Sequence, residues 1–202
     1  MGVADEAEQV AADKSVVRRT ARGRRRELVS TRDLVADAEA LAGHVVGLVA
    51  RHGAGRVGRV AAYESYGVEP PTERLVAALA AVGHEVILPR LLEDRSLQWC
   101  DLDGHLLGAD ALATAVVVVT PGLAVDRVGT RLGQGGGSYD RALVHRRPGA
   151  LVVTLLHDGE LRAPGELLPA SPLDRPVDGV VTADGGFVTL RPTPPLDSRV
   201  LV

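Results

Sequence analysis

The chain has 202 residues, of which 46% are apolar and 2% aromatic, and its net charge is −3. That length suits one large domain or two small ones, with enough aliphatic side chains for a substantial core. Nothing in the charge balance asks for nucleic acid, no apolar run reaches membrane-spanning length, and one cysteine, Cys100, excludes an internal disulfide framework and fits a reducing cytoplasm.

The first ten residues, MGVADEAEQV, lack the apolar core of a signal peptide, and Glu6 stands where a myristoylation signal wants Ser or Thr. Residues 1–13 are small, polar and acidic, and are expected to be disordered. Residues 14–30 carry Lys14, Arg18, Arg19, Arg22, Arg24, Arg25 and Arg26 against Glu27 alone, over a weak helical stripe of Val17, Ala21 and Leu28. Lys14 and Arg18 read as a solvated helix face, and Arg24 to Arg26 as surface charge. Nucleic-acid binding by this basic helix is disfavoured by the acidity of the whole chain. Leu34, Ala38, Leu41, Val45 and Leu48 then recur at three- and four-residue steps, which predicts a helix with one apolar face. Thr31 is its expected N-cap.

RVGRVAAY (56–63) reads as a buried strand, and PTERLVAALAAVG (71–83) as a helix that opens on proline and closes on Gly83. EVILP (85–89) and SLQWCDL (96–102) are strands, the second at or near an edge with Trp99 packed in it. AVVVVTP (115–121) is apolar and β-branched enough to be a central strand, and ALVVTLL (150–156) repeats that character. DGVVT (178–182) and FVTLRP (187–192) close the series around the turn DGG (184–186). The alternation predicts one α/β domain over 14–192 with a mostly parallel sheet flanked by helices, followed by a loose tail at 193–202. Ligand sites in such sheets lie beyond the carboxyl ends of the strands.

GTRLGQGGGSYDR (129–141) follows the central strand, and five of the nine residues from Gly129 to Gly137 are glycine. Glycine permits positive φ and lets amide N–H groups converge on one point, which makes an anion site for which phosphate is the usual occupant. Arg131 adds a planar fork matched to phosphate oxygens, and Asp140 a carboxylate suited to magnesium beside them. The plain alternative is a flexible strand-to-helix turn with Arg131 and Asp140 paired at the surface. Neither the Walker pattern nor the Rossmann fingerprint fits. Asp126 reads as a brace for the loop, Asp174 as the start of a turn before Pro176, and His157 and Asp158 as a strand-end turn. Glu64 and Glu69 flank a loop at a strand's carboxyl end. The six histidines show no zinc spacing.

TPGLAVDRVGTRLGQGGGSYDRAL (120–143) resembles the signature of the 5-formyltetrahydrofolate cyclo-ligase family, in Pro121, Gly122, Leu123, Ala124, Asp126, Gly129, Arg131, Leu132, Gly133, Gly135, Gly137, Tyr139 and Asp140. Lys14 with Arg18, Glu69 in YESYGVEPPTERL, ILPR (87–90) and Asp174 before DGVVT extend the likeness over 14–183. The resemblance implies an α/β fold of the cyclo-ligase, NagB-RpiA-CoA transferase-like type. It also implies a reaction that converts 5-formyltetrahydrofolate to 5,10-methenyltetrahydrofolate, with ATP as co-substrate and Mg2+. By that likeness Lys14, Arg18 and the run Arg131, Leu132, Gly133, Gln134, Gly135, Gly136, Gly137, Ser138 and Tyr139 would hold ATP. Arg131 and Tyr139 would serve the chemistry, Asp140 and Asp174 would hold magnesium, and Glu69 would meet the pterin edge. Glu64 and Tyr66 join the substrate set, Tyr66 as the aromatic expected to stack on the pterin. The implied partners are small molecules, with no nucleic acid and no membrane, in a monomer or weak homodimer. Three departures stand out. DGHLLGADALATA (103–115) lacks a glycine-X-X-glutamate-proline element that walls the family's folate pocket, Ser138 replaces the first of a tyrosine pair, and the glycine run holds no lysine. A catalytically impaired member that binds nucleotide or folate as a regulatory module is the alternative.

Overall fold

In the computed structural model, which describes residues 3–53 and 55–190, the valine run forms β5 (Ala115–Pro121) at the middle of an eight-stranded sheet. Its neighbours are β1 (Arg59–Ala61) and β8 (Leu151–Leu155), both parallel to it. β2 (Glu85–Leu91) continues in parallel beyond β1, and β9 (Gly179–Thr182) beyond β8. Antiparallel strands extend the two sides: β3 (Leu97–Cys100) and β4 (Leu106–Gly108) after β2, and β10 (Gly186–Thr189) after β9. The chain is thus α/β with a mostly parallel central sheet, as its sequence predicts.

The period of two along the strands divides the core into two layers. Val117 and Val119 of β5, with Val153, Leu155 and Val181, face α2 (Leu34–His52) and α3 (Glu73–Ala81) through Leu41, Val45, Leu48, Leu75 and Leu79. Val118, Val152 and Val180 point the other way, onto Trp99, Leu112, Leu143 and Val125. Short pieces cover that second face: 3₁₀ turns at Ala109–Thr114 and Leu143–His145, the five-residue α4 (Ser138–Ala142), and a small hairpin of β6 (Ala124–Val125) and β7 (Arg131–Leu132). The segment 103–115 supplies β4 and the first 3₁₀ turn to this layer.

Two local expectations change. The basic helix α1 spans Val3–Val29, so the acidic segment expected to be disordered is helical from Val3. The N-cap of α2 is Asp33, whose Oδ1 accepts the amides of Val35 (3.0 Å) and Ala36 (3.1 Å), whereas Thr31 donates back to Leu28 O at the end of α1. The carboxylate wins because its side-chain oxygen reaches two orphan amides from the position next to the first turn. The turn 184–186 does join β9 to β10, with Thr182 paired to Gly186. The tail 193–202 lies outside the described residues.

Asp126 is fully buried and braces the connection that follows β6. Its Oδ1 accepts the amides of Val128 and Thr130, and its Oδ2 that of Leu168. Gly129, at φ 95°, then passes so close to the chain before β9 that a Cβ would stand 2.7 Å from Val177 O. Gly129→Ala is expected to cost about 1–3 kcal/mol from positive φ and crowding together. A urea midpoint unchanged from the parent would show that this close approach is not a constraint.

Candidate active site

The carboxyl ends of β1, β2 and β5 open on a cleft of about 1050 Å³. Tyr63 and Glu64 enter it just after β1, Pro121 and Gly122 at the end of β5, and the glycine run after β7. α1 brings Lys14 and Arg18, the loop before α3 brings Glu69, and the turn between β2 and β3 brings Leu92, Glu93 and Arg95. Gly122 is required where it stands, because a Cβ there would lie 2.7 Å from Thr154 Cγ2 on the neighbouring strand.

The glycine run is pinned by its carbonyls. Arg18 Nε donates to Gly133 O at 3.0 Å, and Arg22 donates to Gln134 through both Oε1 (3.1 Å) and O (3.0 Å). Gly135 and Gly137 take φ values of 111° and 65°. Among the described residues the amides of Gln134, Gly135 and Gly136 find no backbone or side-chain acceptor. Burial, and then the neighbouring Arg22, pull the Arg18 guanidinium below its ordinary range. An anion placed beside these crowded cations would relieve both costs.

Arg131 is almost wholly buried, an unusual place for a guanidinium. Nη1 donates to Pro121 O (3.2 Å), Nη2 to Asp140 Oδ1 (3.1 Å), and Cζ stands 5.5 Å from the centroid of the Tyr139 ring. Among the described residues its Nε has no partner, and neither do the buried hydroxyls of Tyr139 and Tyr63. Burial pushes both phenols well above the ordinary tyrosine range, so both keep their protons and can donate. With the equally unpaired Nε of Arg175, four unsatisfied buried groups line one cleft and mark a place built to meet a polar ligand.

The acids divide between the same elements. Asp140 Oδ1 also accepts the amide of Arg175 (3.1 Å), leaving Oδ2 without a protein partner among the described residues. Asp174 takes Lys14 Nζ at 2.5 Å and the amide of Ser171 at 2.6 Å, so it faces the cleft and closes the turn that begins at Ser171 rather than starting one before Pro176. Hard carboxylate oxygens beside a polar cavity fit a magnesium ion, on condition that Arg131 and Lys14 turn toward an anion instead. Glu69 lines the cleft while its Oε2 caps the amide of Tyr66 (3.1 Å). Two expected residues do not reach it. Tyr66 is 87% exposed and outside the cleft, and Leu132 is buried against Ala124, Leu168 and Val17. The aromatic faces available are those of Tyr63 and Tyr139. A further cluster, Asp101, Asp103 and His105, lies away from this cleft, and Asp101 is occupied there as a turn cap.

A model of the 5-formyltetrahydrofolate cyclo-ligase family matches residues 10–183. The chain belongs to this family. It is 36% identical over 175 residues to the 5-formyltetrahydrofolate cyclo-ligase of Mycolicibacterium smegmatis, a match that covers 77% of this chain and 86% of that one. Among solved structures it resembles a 5,10-methenyltetrahydrofolate synthetase from Mycoplasma pneumoniae, with TM-score 0.69 and 16% identity over 85% of this chain and 99% of that chain. It is also similar to the 5,10-methenyltetrahydrofolate synthetase of Aquifex aeolicus, with TM-score 0.62 and 20% identity over 93% and 98%. These two likenesses establish the shared cyclo-ligase fold.

Beneath the cleft of this cyclo-ligase family member lies a network that spacing does not reveal. Arg25, expected at the surface, is 2% exposed. Its Nε and Nη2 pair with Glu160 at 2.6 and 2.7 Å, and Nη2 also donates to Gly122 O at 2.5 Å. Glu160 Oε2 accepts the amide of His157 (2.9 Å). His157 Nε2 stands 3.1 Å from Val68 O and must carry the ring proton, since a carbonyl only accepts. The signal available in the sequence was an arginine beside the weak stripe of α1, and nothing local distinguished it from Arg24 or Arg26.

Removing one member of the buried pair should be costly. Arg25→Met or Glu160→Leu alone is expected to lose about 3–5 kcal/mol, while the double variant recovers much of it. Equal losses in single and double variants, measured by denaturant unfolding, would refute that reading. Burial holds His157 below the ordinary histidine range. The unfolded chain therefore takes up a proton near pH ~6.5 that the native state resists, so stability is full above that pH and falls below it. His157→Gln should flatten the fall, and an unchanged slope of stability against pH would contradict the assignment.

Proposed function

We propose that this chain is an ATP- and magnesium-dependent 5-formyltetrahydrofolate cyclo-ligase that forms 5,10-methenyltetrahydrofolate and releases ADP and phosphate. One observation carries the reading: amides without acceptors and the unpaired Nε of Arg131 meet in a single cleft with Lys14, Arg18 and two carboxylates. That is a site for a polyanion beside a metal. Family membership supports the folate as the second substrate, and the size of the cleft suits two ligands side by side. The small-molecule substrates and the lone half-buried cysteine fit a cytoplasmic setting.

The proposed chemistry needs alignment and charge neutralisation more than a protein nucleophile. The formyl oxygen attacks the γ-phosphorus and ADP departs. N10 then closes on the activated carbon, losing its proton, and phosphate leaves. Lys14, Arg18 and the amides of the glycine run would hold the triphosphate in line. Arg131, braced by Pro121 O and stacked near Tyr139, would face the transferring phosphoryl group. The Tyr139 hydroxyl, kept protonated by its surroundings, would donate to the same charge. Glu64 and Glu69 would accept from the pterin's N–H edge. Magnesium, held by Asp140 and Asp174, would neutralise phosphate charge when bound.

The test is direct. Purified protein with 5-formyltetrahydrofolate, ATP and magnesium should give a rise in the ultraviolet absorbance of the methenyl product, and Arg131→Ala should lower kcat/KM by about 100- to 1,000-fold. Binding of Mg-ATP with no turnover would instead favour a regulatory binding module, the reading that the short 103–115 segment supports. No binding of Mg-ATP at all would overturn both.

A further inference from the structure

The glycine run carries no lysine, yet the cleft is not short of cations. The turn between β2 and β3 sends Arg95 into it, and α4 sends Arg141. Arg95 is the single non-glycine residue with positive φ (64°) among the described residues, a backbone state that disfavours arginine. Its own amide donates to Leu92 O at 2.9 Å, and further contacts hold it there. Asp94 Oδ1 accepts the amide (2.8 Å) and hydroxyl (2.6 Å) of Ser96, closing the turn, and Arg141 Nη2 donates to Arg95 O at 2.7 Å. The two guanidinium groups then bracket the glycine run. A Cβ on Gly136 would lie 3.7 Å from Arg95 Nη1, and one on Gly137 would lie 3.0 Å from Arg141 Nη1. Among the described residues no acid forms an ion pair with Arg95.

We propose that Arg95 is a phosphate-binding residue for the nucleotide, reaching over Gly136 from the β2–β3 turn, and that Arg141 is the positioning residue that fixes it. This inference rests on the ATP-dependent reading above. It places on a neighbouring hairpin the positive charge that the run itself lacks, and it accounts for an arginine where glycine would be less strained. The guanidinium offers a planar fork for phosphate oxygens.

Arg95→Gly separates a structural role from a binding role, since glycine adopts that φ freely. The variant should unfold at the parent's temperature or above it. Its calorimetric Kd for Mg-ATP should rise on the order of tenfold, with a shallower dependence on salt, while the KM for 5-formyltetrahydrofolate stays within about twofold. Arg95→Lys should recover part of the affinity, and Arg141→Met should weaken Mg-ATP by a smaller factor than Arg95→Gly. Mg-ATP affinity unchanged in Arg95→Gly would overturn the proposal. So would a rise confined to the folate KM, which would give Arg95 to the carboxylates of that substrate. Failure of the parent protein to bind Mg-ATP is a different result, and it would sink the underlying reading rather than the placement of Arg95.

Discussion

One buried guanidinium joins parts of the chain that are far apart in sequence. Arg25 reaches from α1 to Glu160 after β8 and to the carbonyl of Gly122 after β5. An unpaired charge at that depth would be very costly, so α1 can occupy only the position that satisfies it. That position lays Arg18 and Arg22 along the glycine run and brings Lys14 to Asp174. Glu160 passes the constraint on through His157 to Val68, in the loop that also holds Glu69. The helix and the loop that approach the cleft from either side are thus referenced to one ion pair. Its worth to the protein lies less in net stability than in geometry.

The upper part of the cleft follows from what the network leaves undone. Arginines take the carbonyls of Gly133 and Gln134, and the amides nearby stay empty. Arg131 is satisfied at both terminal nitrogens and left open at Nε. The backbone of the run is therefore held by side chains of α1, with its amides left open. The carboxylates Asp140 and Asp174 meanwhile neutralise Arg131 and Lys14 from within the same cavity.

Much of this was legible in the residues. The valine runs, the helix closed by Gly83 and the glycine signature speak through local pattern, and the strands and helices they predict form where expected. Family-specific spacing also located Lys14, Arg18, Glu69, Asp140 and Asp174, all of which reach one cleft. What could not be read depends on tertiary distance. Arg25 differs from Arg24 and Arg26 only in the direction its helix turns it. Tyr66 shares a loop with Glu69 yet points to solvent, while Tyr63, two residues past the end of β1, points in. Arg95 owes its place to a turn conformation for which its own side chain gives no signal. Asp33 outcompetes Thr31 as a cap by two positions, a difference at the limit of what propensity can resolve.

The outer margin of the sheet beside β3 has a quieter consequence. β4 is three residues long, its register slips opposite Trp99 and Cys100, and Gly108 at φ 81° ends it in a 3₁₀ turn. Such a rim exposes almost no continuous row of free N–H and C=O groups. A second molecule adding a strand there would find too little ladder to grip, so this border is guarded against aggregation by its brevity and its bend.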